Sequence, residues 1–125
     1  MIFIDTDTLF DILYEDSKKG QDIFEKLEKS NEDFAITSIT LYEIISYFKK
    51  SGRDVPPIHL LQVYGFSKED AQKAADLEIE LDKLKKNVAI TSLMTAAIVM
   101  NKGGTLCTMN EGFKQLKDVG LKLFL

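Results

Sequence analysis

The sequence predicts one α/β domain over residues 1–125, with a largely parallel sheet and helices packed against it. Short strand-like apolar segments alternate with longer helical ones, and no low-complexity linker or internal repeat interrupts them. The length of 125 residues suits one domain, and a hydrophobic content of 45% is enough for a real core. Together these observations favour one folded α/β domain over a disordered chain.

The expected elements follow from local patterns. Strands are predicted at residues 2–4, 33–37, 60–64, 105–108 and 121–124. Helices are predicted at residues 9–13, 22–29, 41–48, 68–84, 92–101 and 113–118. Ser67 and Asp70 have capping-box spacing, and either Ser38 or Thr40 is expected to cap the helix over 41–48.

Charge and cysteine content argue against two kinds of protein: one that coats nucleic acid and one that is held together by disulfides. The net charge of −4 is not that of a protein that coats nucleic acid non-specifically. Cys107 is the single cysteine, so no internal disulfide is expected and a reducing, cytoplasmic setting is predicted. No signal segment is visible, and the apolar stretch over 90–100 is too short and too rich in hydroxyls to span a membrane.

Carboxylates and polar side chains follow three of the predicted strands. Asp5 and Asp7 come after the first strand, Glu43 lies in the helix after the second, and Thr108 and Asn110 close the strand over 105–108. In a parallel sheet these positions meet at one edge, where ligands bind. Clustered carboxylates require a compensating cation, and oxygen ligands select Mg²⁺ or Mn²⁺. Such ions catalyse phosphodiester hydrolysis.

The same residues also allow a simpler interpretation. Aspartate and threonine after a strand are ordinary helix caps, and an isolated glutamate is usually on the surface. Both interpretations of Asp5 and Glu43 stay open on composition and spacing alone.

Over nearly its whole length the chain resembles PIN-domain proteins, of the kind found as VapC-type ribonuclease toxins. The segments that carry the resemblance are residues 4–7, 38–44, 95–97 and 104–113. The resemblance implies a PIN-like domain with a parallel sheet of about five strands. It also implies a Mg²⁺- or Mn²⁺-dependent nuclease site of three or four acidic residues, an RNA substrate, a homodimer and an antitoxin partner.

Residue by residue, the resemblance assigns Asp5 and Glu43 as metal ligands. Ser92 stands at the third acidic position, where this sequence departs from the family. Asn110 stands at the fourth position, as a neutral ligand or a residue that positions water in catalysis. Ser92 is expected to cap its helix without supplying an anionic ligand.

The departure at Ser92 predicts weak binding of a single Mg²⁺ or Mn²⁺ ion. Asp7, two residues after Asp5, and Glu111, directly after Asn110, are the two carboxylates that could replace the missing charge. Thr108 and Ser38 are predicted to contact the metal ligands without binding the ion themselves.

Three functions follow from these residues. The first is a VapC-like endoribonuclease with weakened activity, and the second is a catalytically degraded PIN domain that acts as a binding or interaction module. A small phosphatase ranks third, because the run over 5–9 only partly matches the aspartate motif of haloacid-dehalogenase phosphatases. Two basic clusters are candidates for steering an RNA backbone: Lys49, Lys50 and Arg53, and Lys114, Lys117 and Lys122.

Overall fold

Among the residues that the structure describes, four short strands alternate with five α-helices. The computed structural model describes residues 1–14 and 17–124, except for the side chain of residue 59. The elements are β1 (Ile2–Ile4), α1 (Thr6–Tyr14), α2 (Lys18–Lys29), β2 (Phe34–Thr37), α3 (Ser38–Lys50), β3 (Gln62–Tyr64), α4 (Lys68–Lys83), α5 (Ile90–Asn101) and β4 (Thr105–Cys107). Two 3₁₀ segments complete the list: Ile58–Leu60 and Glu111–Val119.

The strands form one parallel sheet in the order β3-β2-β1-β4. The predicted α/β class with helices flanking a parallel sheet is therefore confirmed. β1 lies between β2 and β4, and Phe3 pairs with Ala35 on one side and Leu106 on the other. The residue that follows β1 is thus at the middle of the sheet edge.

Each face of the sheet is covered by helices, and the central strand β1 is accordingly apolar and buried throughout. Phe3 and Leu106 face a core that includes Leu77 of α4 and residues of α5. Ile2 and Ile4 face the opposite way, into a core that includes Leu9 of α1 and residues of α2 and α3. The alternation of side chains along β1 therefore separates two cores.

The fifth predicted strand, over 121–124, is reduced to a single bridge between Leu106 and Leu123. Leu106 donates its N–H to the Lys122 carbonyl and accepts from the Phe124 N–H, both at 2.9 Å. The Leu121 N–H is directed back to the Leu116 carbonyl at 3.0 Å, where it ends the 3₁₀ helix. Few residues are therefore left to pair along β4, and the sheet of the described residues has four strands.

Two helix caps differ from the predictions. Thr37 caps α3, in place of Ser38 or Thr40, because β2 runs directly into the helix and its hydroxyl accepts the Thr40 N–H at 3.2 Å. α5 begins at Ile90, two residues earlier than predicted, with no side-chain cap. The prediction that Ser92 caps this helix is therefore wrong, since Ser92 lies inside its first turn.

The predicted capping box of α4 is confirmed. Ser67 accepts the Asp70 N–H at 3.1 Å, and Asp70 accepts the Ser67 N–H at 2.9 Å. The side-chain amide of Asn101, at the end of α5, donates to the other Asp70 oxygen at 2.8 Å. Burial acts to raise the pKa of Asp70, but the hydrogen bonds from Ser67 and Asn101 outweigh it and the pKa lies below its usual value.

Replacing Asp70 with alanine is expected to lower the free energy of unfolding at pH 7 by about 2 kcal/mol, because a cap and a buried hydrogen bond are both lost. The lowered pKa makes the contribution of the ionised carboxylate complete above its ordinary pKa of about 3.9. It is lost as the pH falls through the lower pKa of the folded state. Urea unfolding at pH 7 and below pH 4 measures this, and the two proteins should converge in acid. Asp76→Ala, at an exposed position on the same helix, is the control.

Among the helices of the described residues, none combines the length and the apolar character needed to cross a bilayer.

Candidate active site

A cleft of about 190 Å³ opens where β1, β2 and β4 give way to the segments that follow them. Its walls come from the starts of α1 and α5, from α3 and from the loop after β4. The lining residues are Asp5, Thr6, Asp7, Thr40, Glu43, Ala89, Thr91, Ser92, Thr95, Asn110 and Phe113. The cleft thus lies at the sheet edge where parallel α/β folds bind ligands.

Asp5 is both a helix cap and a wall of the cleft, so the two interpretations open at the sequence level are compatible. One carboxylate oxygen accepts the Thr8 N–H at 3.0 Å at the start of α1. The other accepts a hydrogen bond from the Thr108 hydroxyl. Burial raises the pKa of Asp5, although the bonds from Thr108 and Thr8 act against the increase.

Glu43 reaches the cleft from α3 and is held there by Thr6. The Thr6 hydroxyl donates to Glu43 at 2.7 Å and lies 3.4 Å from the Thr40 hydroxyl oxygen. Thr6 was not among the predicted site residues. Nothing in the local sequence indicates that this threonine contacts a glutamate 37 residues later. The contact fixes the side chain of Glu43 relative to α1.

A second threonine that the sequence analysis missed fixes the loop after β4. Thr8 is fully buried, and its hydroxyl oxygen accepts the Met109 N–H at 3.1 Å. Its place three residues after Asp5, directly before the helix predicted over 9–13, was the available signal. Thr108 in turn accepts the Asn110 N–H at 2.9 Å. The loop and the start of α1 are therefore tied together directly beside Asp5.

Asn110 closes the cleft on the β4 side. Its side-chain carbonyl oxygen accepts the Gly112 N–H at 2.8 Å and so caps the 3₁₀ helix Glu111–Val119. This bond fixes the orientation of the amide, because only the oxygen can accept from the Gly112 N–H.

The structure brings together most of the predicted site residues. Asp7 and Ser92 line the same cleft as Asp5 and Glu43. Glu111 lines a neighbouring groove instead, where it pairs with Lys114 at 3.0 Å. Ser38 is half-buried at the start of α3 and is not among the residues that line the cleft.

The donor set of the cleft fits one hard cation. Asp5, Glu43 and Asp7 offer carboxylate oxygens, and Ser92 offers a hydroxyl oxygen. In the part of the chain that the structure describes, no three Asp, Glu, His or Cys side chains group closely enough for a ready-made metal cluster.

Cys107 supplies no nucleophile to this site. It is buried in β4, as predicted, and burial together with the charge of Asp5 raises the pKa of its thiol to about 12. The reactive thiolate is therefore scarce at neutral pH.

The comparisons with known proteins give structural matches only. No family model matches the chain, and no curated protein matches it. A chain of VapBC2 from Rickettsia felis, solved with a DNA fragment from its promoter, has a TM-score of 0.77 and 23% identity, with 98% of this chain and 97% of that one covered. VapBC-1 from nontypeable Haemophilus influenzae gives 0.77 and 18%, with 98% and 96% covered.

A further match is VapC20 from Mycobacterium tuberculosis, described as a toxin that cleaves the Sarcin-Ricin loop. Its TM-score is 0.72 at 14% identity, with 97% of this chain and 96% of that one covered. Coverage is nearly complete on both sides in all three cases. The chain therefore has the fold of a VapC-like PIN domain over its whole described length.

Proposed function

We propose that this protein is a VapC-like endoribonuclease that depends on one Mg²⁺ or Mn²⁺ ion and has weakened activity. The observation that carries the proposal is the meeting of Asp5 and Glu43, from two separate elements, at one cleft on the sheet edge. Ser92 leaves a neutral side chain in the same cleft, which is the reason for expecting weak activity. The description of VapC20, which has the same fold, as a toxin that cleaves the Sarcin-Ricin loop supports the proposal of a cleaving toxin.

In this proposal Asp5 and Glu43 hold the ion, which when bound orients a water and neutralises charge at phosphorus. Thr108 and the Thr8 N–H orient Asp5, while Thr6 orients Glu43. These contacts keep both carboxylates in place before substrate arrives, so less ordering remains to be done during the reaction. Asp7, in the same cleft, supplies further negative charge near the ion.

An RNA cleavage assay with Mg²⁺ and with Mn²⁺ tests the proposal. Wild-type protein should cleave only with metal, and Asp5→Asn should cleave at least about 100-fold more slowly because a charged ligand is lost. Asparagine retains an oxygen that can cap the Thr8 N–H, so the variant should stay folded. Asp11→Asn removes a carboxylate from the same helix outside the cleft and is the matched control.

Equal cleavage by wild type and Asp5→Asn would contradict the proposal. Turnover of a simple phosphomonoester that Asp5→Asn abolishes would indicate the phosphatase instead.

The absence of a three-residue acidic cluster in the described residues favours a second candidate, a PIN domain that has become a binding module. Thermal unfolding with increasing Mn²⁺ separates the two. A bound ion stabilises the folded state by about 1.4 kcal/mol at a tenfold excess over its Kd. A shift that Asp5→Asn abolishes supports the enzyme, and no shift in wild-type protein supports the module.

We also propose an antitoxin partner and a homodimer, because the structural matches include toxin–antitoxin complexes. An apolar groove of about 280 Å³ beside α1 offers a surface for a protein partner, lined by residues that include Leu9, Ile58 and Leu61. Leu13 and Leu60 at this groove are 44% and 79% exposed. Exposed apolar patches of this kind mark protein contacts. Light scattering on the protein alone measures the dimer.

A further inference from the structure

A second groove adjoins the cleft. It has a volume of about 270 Å³, and we call it the lysine trough. Its lining residues are Lys19, Thr108, Met109, Asn110, Glu111, Lys114 and Leu123. Asn110 lines both the cleft and the trough, and Thr108 lines the trough while it donates to Asp5. The two depressions therefore share a wall built from the loop after β4.

We propose that the lysine trough binds backbone phosphates of a single-stranded RNA whose neighbouring phosphate lies in the cleft. The inference rests on the nuclease proposal and adds the path of the substrate. Lys19 comes from α2 and Lys114 from the 3₁₀ helix, and both are exposed at the trough. Phosphate contacts of this kind fix the register of a strand without reading its sequence.

A phosphate site of this kind would reduce the electrostatic repulsion between RNA and the acidic cleft. The chain carries a net charge of −4, and the cleft itself contains Asp5, Asp7 and Glu43. An RNA backbone is repelled by this arrangement unless basic groups lie directly beside it. The trough places Lys19 and Lys114 next to the acidic cleft, and Lys114 also pairs with Glu111 of the trough at 3.0 Å.

Asn110 adds a hydrogen-bond donor at the shared wall. Because its oxygen already accepts the Gly112 N–H, its amino group is the part left to offer donors. A phosphate oxygen is an acceptor that matches this group. Asn110 therefore suits the boundary between the cleft and the trough as a phosphate contact.

Two of the other basic groups predicted to steer RNA, Arg53 and Lys122, lie at other places on the surface. The Arg53 guanidinium lies 5.4 Å from the Tyr47 ring centroid and 5.0 Å from that of Phe48, and it donates to the Tyr47 hydroxyl at 3.0 Å. Lys122 lines a different cavity, together with Lys73. Of the predicted basic clusters, Lys114 alone is among the lining residues given for the trough.

Fluorescence anisotropy with a labelled, non-cleavable 2′-O-methyl RNA oligonucleotide in Mg²⁺ tests the trough. The double variant Lys19→Ala/Lys114→Ala should bind about tenfold more weakly at low salt, and the slope of log affinity against log salt should fall by about 1.4 for two lost phosphate contacts. Lys26→Ala/Lys117→Ala removes the same charge from the same two elements and should change affinity less than about twofold. Thermal unfolding confirms that each variant is folded.

Asn110→Asp provides a second measurement. Aspartate can still cap the 3₁₀ helix, but it replaces the amide donor with a negative charge. RNA affinity should fall at least threefold while the stabilisation by Mn²⁺ increases. Unchanged RNA affinity in this variant would remove Asn110 from the proposal.

The trough proposal would be overturned if the two lysine double variants lost RNA affinity equally, or if wild-type protein did not bind the RNA. The nuclease proposal fails in a different way. If wild type binds through the trough but never cleaves RNA, the trough stands and the nuclease proposal falls. If cleavage is lost in Asp5→Asn but KM is the same in both double variants, the nuclease stands and the trough falls.

Discussion

Replacing Ser92 with aspartate is expected to tighten Mn²⁺ binding at least about tenfold and to raise the rate of metal-dependent RNA cleavage. Ser92 lines the same cleft as Asp5, Asp7 and Glu43, so the new carboxylate adds one more negative charge at the cleft. A unit charge about 4 Å from a divalent ion contributes about 2 kcal/mol even at the dielectric constant of water. An acidic residue in the first turn of α5 also matches the helix dipole, so the helix should tolerate it.

The measurement is thermal unfolding of Ser92→Asp with EDTA and with increasing Mn²⁺. In EDTA the variant should be no more stable than wild type, because carboxylates are crowded, and its shift with Mn²⁺ should be larger. Ser92→Asn supplies an oxygen without the charge and is the matched control. If both variants respond to Mn²⁺ as wild type does, the absent carboxylate is not what limits metal binding.

Replacing Gly20 with alanine is expected to lower the free energy of unfolding by about 2–3 kcal/mol. Gly20 is buried in the first turn of α2, against the backbone of α1. A β-carbon there would lie 2.9 Å from the Asp11 carbonyl carbon and closer still to its oxygen. Backbone cannot rotate away as a side chain can, so the two helices must separate. The clash outweighs the roughly 0.5–1 kcal/mol by which alanine favours a helix over glycine.

Thermal unfolding should show a fall in Tm of about 10 °C. Gly65→Ala is the control, because a β-carbon at Gly65 meets no atom within 4 Å. Its Tm should stay near that of wild type. A stable Gly20→Ala protein would mean that α1 and α2 can move apart without cost, and that their packing does not hold the start of α1 in place.

Local signals in the sequence predicted much of the fold. The alternation of apolar segments predicted the α/β class, and the spacing of Ser67 and Asp70 predicted the start of α4. Signals that depend on neighbours were harder to interpret. The sequence over 121–124 has strand character, but whether it pairs depends on where the preceding 3₁₀ helix ends. The predicted starts of α1, α2, α3 and α5 lie two to four residues after the observed ones.

The candidate site was predictable in its acidic residues and not in their supports. Asp5 and Glu43 follow strands that parallel topology brings to one edge, so their meeting needed no further information. The partnership of Thr6 with Glu43 depends on side-chain positions from two helices. The approach of Lys19 to the loop after β4 likewise depends on how α2 packs, which no local pattern in the sequence encodes.

The hydrogen bond between Thr108 and Asp5 joins residues 103 positions apart, and β1 pairs with β4 as well as with β2. During synthesis β1 therefore cannot complete its pairing until β4 has been made. A chain halted on the ribosome before β4 emerges has Asp5 and Glu43 but lacks the loop that completes the cleft. Contacts this distant in sequence form late and slowly. The order of translation thus delays the proposed RNA-cutting cleft until β4 and the loop after it have been made, well after Asp5 and Glu43.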